Sequence, residues 1–262
     1  MLRPRIIPCL LVHDGGLVKT LHFDNPKYVG DPINAVKIFN EKETDELIVL
    51  DIDASVRNVE PNFKLIAQLA VECRMPLCYG GGVKTVDQAK RIVGLGAEKV
   101  AMSSAALQDT KLISAVAREI GSQSVVVVAD VRQQKHGGDY EVLTHNGRRQ
   151  TGQTVVEAAR LAESSGAGEI VVNSIDNDGK MKGYDLTLAA KVRAAVRLPM
   201  TMLGGAGSLA DMGKLIECCG VVGAAAGSLF VFKGPYRAVL INYPAAAQKE
   251  QLFLSSAGRQ AS

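Results

Sequence analysis

Short runs of apolar and β-branched residues recur along the chain, separated by stretches whose apolar positions fall three and four residues apart. The runs are Arg5 to Leu10, Glu46 to Ile52, Pro76 to Tyr79, Lys99 to Met102, Ser124 to Asp130, Glu169 to Ser174, Pro199 to Leu203 and Val221 to Ala226. Each run has the length of a strand. Between them the helical spacing is clear in Val86 to Gly94, Lys111 to Ile120 and Val155 to Ser164. Eight such alternations predict an α/β fold, a closed (β/α)8 TIM barrel. Thr85 with Gln88 reads as a helix-capping box, and Ser208 with Asp211 repeats a similar signal.

The pattern also repeats internally. "DELIVLDIDAS" at Asp45 aligns with "GEIVVNSIDND" at Gly168, and "MPLCYGGGVKTVDQAKRIV" at Met75 aligns with "LPMTMLGGAGSLADMGKLI" at Leu198, both offset by 123 residues. Two tandem half-barrels are expected. In this alignment Asp53 matches Asp176, Gly81-Gly82 matches Gly204-Gly205, Ser104 matches Ser228, and Leu11 falls opposite Asp130. The longest interruption, Val131 to Gln150, carries Asn146-Gly147, a strong hairpin signal, so a two-stranded ribbon near 140–150 is expected over the barrel mouth. One barrel over 1–243 and a polar, small-residue tail over 244–262 with a frayed end complete the layout.

Composition narrows the function classes. With 262 residues, 47% hydrophobic, 22% charged and a net charge of +3, the chain has an ordinary globular balance and a core-sized supply of apolar side chains. Its basic clusters are short, and Arg148-Arg149 beside His145 reads as a solvated loop, so nucleic acid is not the expected partner. No apolar run has membrane-spanning length and no secretion leader precedes the first strand. Five cysteines without a C-x-x-C pair point to a reduced, cytoplasmic setting, and Cys9 reads as a buried small hydrophobe rather than a nucleophile. His13, His22, His136 and His145 show no metal-ligand spacing, and no cofactor motif is present.

Candidate chemistry follows from the repeat. A glycine pair between strand and helix lets backbone N–H groups approach an anion, with the helix N-terminus adding its dipole. Gly81-Gly82 and Gly204-Gly205 provide this twice, followed by Ser103-Ser104 and Gly227-Ser228 as further donors, and Asp178-Gly179 adjoins the second cradle. Two copies in register favour a small phosphorylated ligand with two anionic ends. Between them, Asp51, Asp53, Asp130, Ser174, Asp176 and Asp178 stand at the mouth ends of strands. Asp53 and Asp176 serve equally well as loop braces. Asp130 differs, since it ends a wholly apolar strand and suits general acid–base work. At the opposite barrel end, Arg5, Glu46, Lys99 and Glu169 start four strands, and charges so near a core must pair. They form either a stabilising plug or a gate.

The motifs "RIIPCL", "DELIVLDIDAS", "YGGGV", "GSQSVVVVAD", "TGQT", "GAGEIVVNSIDNDG", "GYD", "GGAG" and "AAAGSLF", running from Arg5 to Phe230, together resemble the synthase (cyclase) subunit of imidazole glycerol phosphate synthase, the HisF family. The resemblance implies a barrel binding a substrate phosphorylated at both ends. It further implies a glutaminase (HisH-like) partner forming a heterodimer on the barrel floor, with ammonia passing through the barrel to the mouth. The family's gate maps onto Arg5, Glu46, Lys99 and Glu169, and Lys19 matches a substrate-loop lysine. Position 11 breaks the pattern: the family has an aspartate there that shares the acid–base work with the residue retained as Asp130. Gly16, Thr20 and Leu203 also replace an arginine, a glycine and a serine. This combination resembles divergent paralogues associated with surface polysaccharides, in which ammonia is handed to a separate amidotransferase that forms an acetamidino sugar. The expected function is therefore an ammonia-using synthase subunit specialised by Leu11. An ammonia conduit and a partner-independent sugar-phosphate enzyme remain as alternatives.

Overall fold

The computed structural model describes residues 3–135 and 138–260, so His136 lies outside the described residues. The chain opens with β1 (Arg5–His13), folds back as a hairpin of β2 (Gly16–Leu21) and β3 (Asp24–Gly30), and enters α1 (Pro32–Glu41). The first half continues through β4 (Leu47–Asp51), α2 (Phe63–Glu72), β5 (Leu77–Gly80), α3 (Val86–Gly94), β6 (Lys99–Met102), α4 (Ser104–Gln108) and α5 (Lys111–Ile120). The second half repeats the plan with β7 (Val125–Gln133), a hairpin of β8 (Tyr140–Thr144) and β9 (Arg149–Thr154), α6 (Val155–Ser164), β10 (Glu169–Ser174) and α7 (Leu186–Ala195). Then come β11 (Met200–Leu203), α8 (Leu209–Cys219), β12 (Gly223–Ala226), α9 (Ser228–Val231), the two-residue strands β13 (Phe232–Lys233) and β14 (Ala238–Val239), and α10 (Ala246–Gln260).

Eight parallel strands pair in the order β1-β4-β5-β6-β7-β10-β11-β12, and β12 pairs again with β1, closing the barrel. Strand side chains alternate between two faces, so the core is double. Ile7 and Cys9 of β1 point inward and pack with Ile48, Val126, Val128 and Val171. Ile6, Leu10 and Val12 point outward and pack with the apolar stripes of the helices, such as Val36 and Phe39 of α1. The caps read from sequence are present: Thr85 and Gln88 form a reciprocal box on α3, and the Ser208 hydroxyl accepts from the Asp211 N–H at 3.2 Å.

Two features depart from the sequence reading. The first loop is a full hairpin, with β2 antiparallel to β1 from Leu11↔Val18 to His13↔Gly16, where the sequence suggested only a glycine-rich turn. The tail over 244–262 carries the helix α10, lying against α8, where the Ser256 hydroxyl reaches the Gly213 carbonyl at 3.5 Å; the last two residues of the end expected to fray lie outside the described residues. Polar groups tie this segment down. Lys249 reaches Asp45 at 2.6 Å, and the Tyr243 hydroxyl donates to the Ile6 carbonyl at 2.9 Å while accepting from the Asp45 N–H at 3.1 Å. Tyr243→Phe leaves both backbone groups without that partner, and urea unfolding is expected to show a loss of about 1–2 kcal/mol; an unchanged midpoint would remove this anchor from the account.

Candidate active site

The barrel floor is closed by charge. Arg5 bonds Glu46 and donates through Nη2 to Glu169 at 2.8 Å, while Lys99 donates to Glu46 and to Glu169, each at 2.8 Å. Thr201 adds a hydroxyl to Glu169 at 2.5 Å. Glu46 is 3% and Glu169 4% exposed. Burial pushes the Glu169 carboxyl up, and the opposing attraction of Arg5 and Lys99 outweighs it, so the group is held below its ordinary 4.5. The four residues form one closed ring because each occupies an inward-facing position at the start of its strand.

Above the inner apolar layer opens a cavity of about 870 Å³ at the mouth ends of the strands. It is lined by Gly81, Gly82, Ser103 and Ser104 from the first half, and by Asp178, Gly179, Gly204, Gly205, Gly227 and Ser228 from the second. Gly81 and Gly204 have φ of +130° and +95°, and a Cβ on either would stand 2.6 Å from a carbonyl oxygen, that of Asp51 or Ser174 respectively. The two cradles are therefore backbone-packed copies of one another. Lys19 is 5% exposed and donates to the Cys9 carbonyl at 2.5 Å, with its amine beside Gly227, where a Cβ would meet it at 2.6 Å. Burial depresses the Lys19 pKa.

Asp130 and Leu11 both line this cavity. Burial raises the Asp130 carboxyl to about 7, while the Asn173 amide, donating at 2.9 Å, opposes the rise and the Asp178 charge adds to it. A carboxyl at that value exchanges protons readily at neutral pH. Asp51 and Asp178 also line the cavity, but their carboxylates are engaged. Asp51 accepts the N–H groups of Asp53 and Ala54 at 2.9 and 3.1 Å, and Asp178 accepts the Thr20 hydroxyl at 2.7 Å and the Phe23 N–H at 3.1 Å.

Ser174 and Asp176 do not line the cavity. Asn173 is in register with Asp130 and shares its inward direction, so its neighbour Ser174 points away from the barrel interior. Asp176 instead accepts the Gln133 N–H at 2.8 Å, and its repeat-mate Asp53 accepts the Asp14 N–H at the same 2.8 Å, so both brace the loop beside them. His13 joins that clamp, 2.7 Å from Asp53, and the ligand atoms of His13, Asp14 and Asp53 lie within 4.8 Å of one another. Arg57 already serves this cluster as its cation, 2.6 Å from Asp14 and 3.5 Å from Asp53.

The two hairpins cross the mouth reciprocally. The first carries His22 and Phe23 to Asp178 in the second half, and the second carries Asn146 to the Ile52 carbonyl in the first half at 2.9 Å. The ribbon near 140–150 thus sits over the mouth, as its turn signal suggests. Arg148 and Arg149 are exposed, as a solvated segment would be, and Arg149 and His145 in addition line the cavity. Their position follows from β8 running back down against β7, with Leu143 opposite Asp130; the sequence contains the turn but not this direction.

A family model described as "Histidine biosynthesis protein" matches residues 5–236. Relatives in Leptospira borgpetersenii and Leptospira interrogans, both named "Putative imidazole glycerol phosphate synthase subunit HisF", are 54% and 55% identical over 97% of this chain and 100% of their own. The "Imidazole glycerol phosphate synthase subunit HisF" of Lactococcus lactis subsp. cremoris (strain SK11) is 41% identical over 83% of this chain and 84% of its own. The chain belongs to the HisF family. This HisF-type synthase subunit has Arg5, Glu46, Lys99 and Glu169 on its floor, a glycine pair at the mouth in each half, and leucine at position 11. No helix among the described residues is long and apolar enough to cross a membrane.

The floor ring sets an acid limit on stability. Because the folded Glu169 is held below 4.5, its contribution is present above that value and is lost as pH falls through the lowered folded value. Lys99→Met leaves two buried carboxylates with one cation and is expected to cost about 3–5 kcal/mol in urea unfolding at neutral pH, with the deficit shrinking as the pH falls, because loss of the cation raises the folded carboxyl values and protonation relieves the unpaired charge. Equal acid profiles for variant and wild type would contradict the ring's role.

Proposed function

We propose that this chain is an ammonia-using synthase subunit of the imidazole glycerol phosphate synthase type, paired with a glutaminase subunit and specialised away from the histidine-pathway reaction. The carrying observation is the cavity itself: it has two glycine cradles and Asp130 as the one lining carboxylate held only by a side-chain amide, with Leu11 where a second acid would act. On this reading the cradles hold the two phosphate ends and Lys19 neutralises the second. Ammonia enters past Arg5, Glu46, Lys99 and Glu169. Five unpaired cysteines fit a cytoplasmic location.

Condensation of ammonia with a carbonyl carbon moves two protons from nitrogen to oxygen, the first giving a carbinolamine and the second releasing water and leaving an imine. With a pair of acids the two transfers are divided. Here Asp130 alone would pass a proton from nitrogen to oxygen in succession. A lost proton-transfer group typically costs a factor of about 10² to 10⁴. With excess ammonium and the histidine-pathway ribonucleotide, turnover is therefore expected to be lower by about that factor than in a relative with both aspartates, and Leu11→Asp is expected to recover part of it. Near-normal turnover by the wild type would refute specialisation.

A second reading is supported by the complete floor ring: a conduit that activates its glutaminase and passes ammonia to a third protein, such as an amidotransferase forming an acetamidino sugar for a surface polysaccharide. Here Asp130→Asn should leave the final product unchanged while Lys99→Ala uncouples glutaminase output. If Asp130→Asn abolishes product, the synthase reading stands instead.

A further inference from the structure

Three cationic or potentially cationic groups meet above the first-half cradle with no carboxylate to neutralise them. Lys84, His145 and Arg149 line the same cavity as Gly81, Gly82, Ser103 and Ser104. Lys84 bonds the neutral amide oxygen of Asn58. Arg149 donates to His145 Nε2 at 3.4 Å, and His145 Nδ1 faces the Thr144 hydroxyl at 3.1 Å. Arginine only donates, so this contact is a hydrogen bond only when Nε2 is unprotonated. Among the described residues neither Lys84 nor Arg149 has an acidic partner within 4.0 Å. The other charged groups on this side are Asp51, Asp109, Lys111 and, against the hairpin turn at Gly147, Arg132. Asp51 accepts the N–H groups of Asp53 and Ala54, and Asp109 accepts the N–H of Lys111.

A second observation points into the same space. The Ser103 hydroxyl is buried, belongs to a cavity-lining residue and has no hydrogen-bond partner among the described residues. Its repeat-mate is Gly227, and there the Lys19 amine stands against the backbone. The second cradle thus carries its cation beneath the ligand position, whereas the first has an unused donor beneath and its cations above.

We propose that Lys84, His145 and Arg149 complete the first-half cradle from above, forming a binding site for a phosphate-type dianion in which His145 is protonated on binding. This extends the reading of the cradles given under Proposed function and rests on their holding anions, not on the chemistry assigned to Asp130. The site joins the two halves of the chain, because Lys84 follows the first-half glycines while His145 and Arg149 come from the second-half hairpin. An anion here draws the hairpin down onto the cradle through charge-assisted hydrogen bonds. Burial, Arg149 and Lys84 together lower the His145 pKa in the empty site, and a dianion reverses the balance. Binding therefore takes up a proton, and affinity rises as pH falls between the free and bound His145 values.

The test is an imidazole NMR titration of the full chain with sulfate, a dianion that does not itself titrate in this range, and with inorganic phosphate as second probe. His145→Gln assigns the signal. Saturating sulfate is expected to raise the His145 midpoint by about one pH unit, and Arg149→Gln and Lys84→Met are each expected to weaken sulfate binding about five- to tenfold while raising the midpoint in the free protein. No sulfate binding, binding that leaves His145 unmoved, or variants that bind like wild type would each overturn the assignment. The readout needs no turnover. Failed synthase activity with a responsive His145 sinks only the proposed chemistry, and turnover with an unresponsive His145 sinks only this site.

Discussion

The alternation of side chains along eight hydrogen-bonded strands is the constraint on which everything else in this molecule rests. Closure of the ladder makes one face of every strand an interior, and the period of two then decides membership residue by residue. Arg5, Ile7, Cys9 and Leu11 face inward along β1, and Glu169, Val171 and Asn173 do so along β10. On β10 a floor charge, an apolar middle and a polar mouth residue are therefore stacked along a single inward row. Slippage by one residue of any of the four strands that carry a floor charge would place that charge among the helices and a helix-facing apolar residue inside.

The same rule explains what could be read from the sequence. Strand positions, several helix boundaries and the repeat were legible because apolar spacing and glycine pairs are local signals, and both glycine cradles followed from them. The direction of individual side chains was not. Ser174 stands at the mouth end of its strand in the sequence, yet register with β7 gives its neighbour Asn173 the contact with Asp130. The helix in the tail was not legible because it is held partly by polar long-range contacts, Lys249 on Asp45 and the Tyr243 hydroxyl just before it, and by only a short apolar patch at Leu252 and Phe253. The first hairpin was missed because exposed residues such as Asp24 and Lys27 hide its strand character.

Duplication gives the two halves the same skeleton, and departures from symmetry are where chemistry is assigned. Ile52 and Ile175 donate to equivalent carbonyls, those of Val12 and Val131, at 3.1 and 2.9 Å. Against that background Asp130 and Leu11 differ in the ability to carry a proton, and Ser103 and Gly227 differ in whether a side chain or the Lys19 amine fills the corresponding space. On the proposed reading, a nearly symmetric cavity would take a directional ligand. Its two ends meet different neighbours, so a reversed ligand would not place the same atom beside Asp130.

The crossed hairpins have a consequence for how such a barrel is inherited. Each half builds its own strands and cradle, but each closes the mouth of the other, Phe23 on Asp178 and Asn146 on Ile52. Halves exchanged between related chains would keep their barrels and mismatch their covers. Covalent fusion is then more than a tether between two similar units, because it keeps each cover in the company of the cradle it was shaped against.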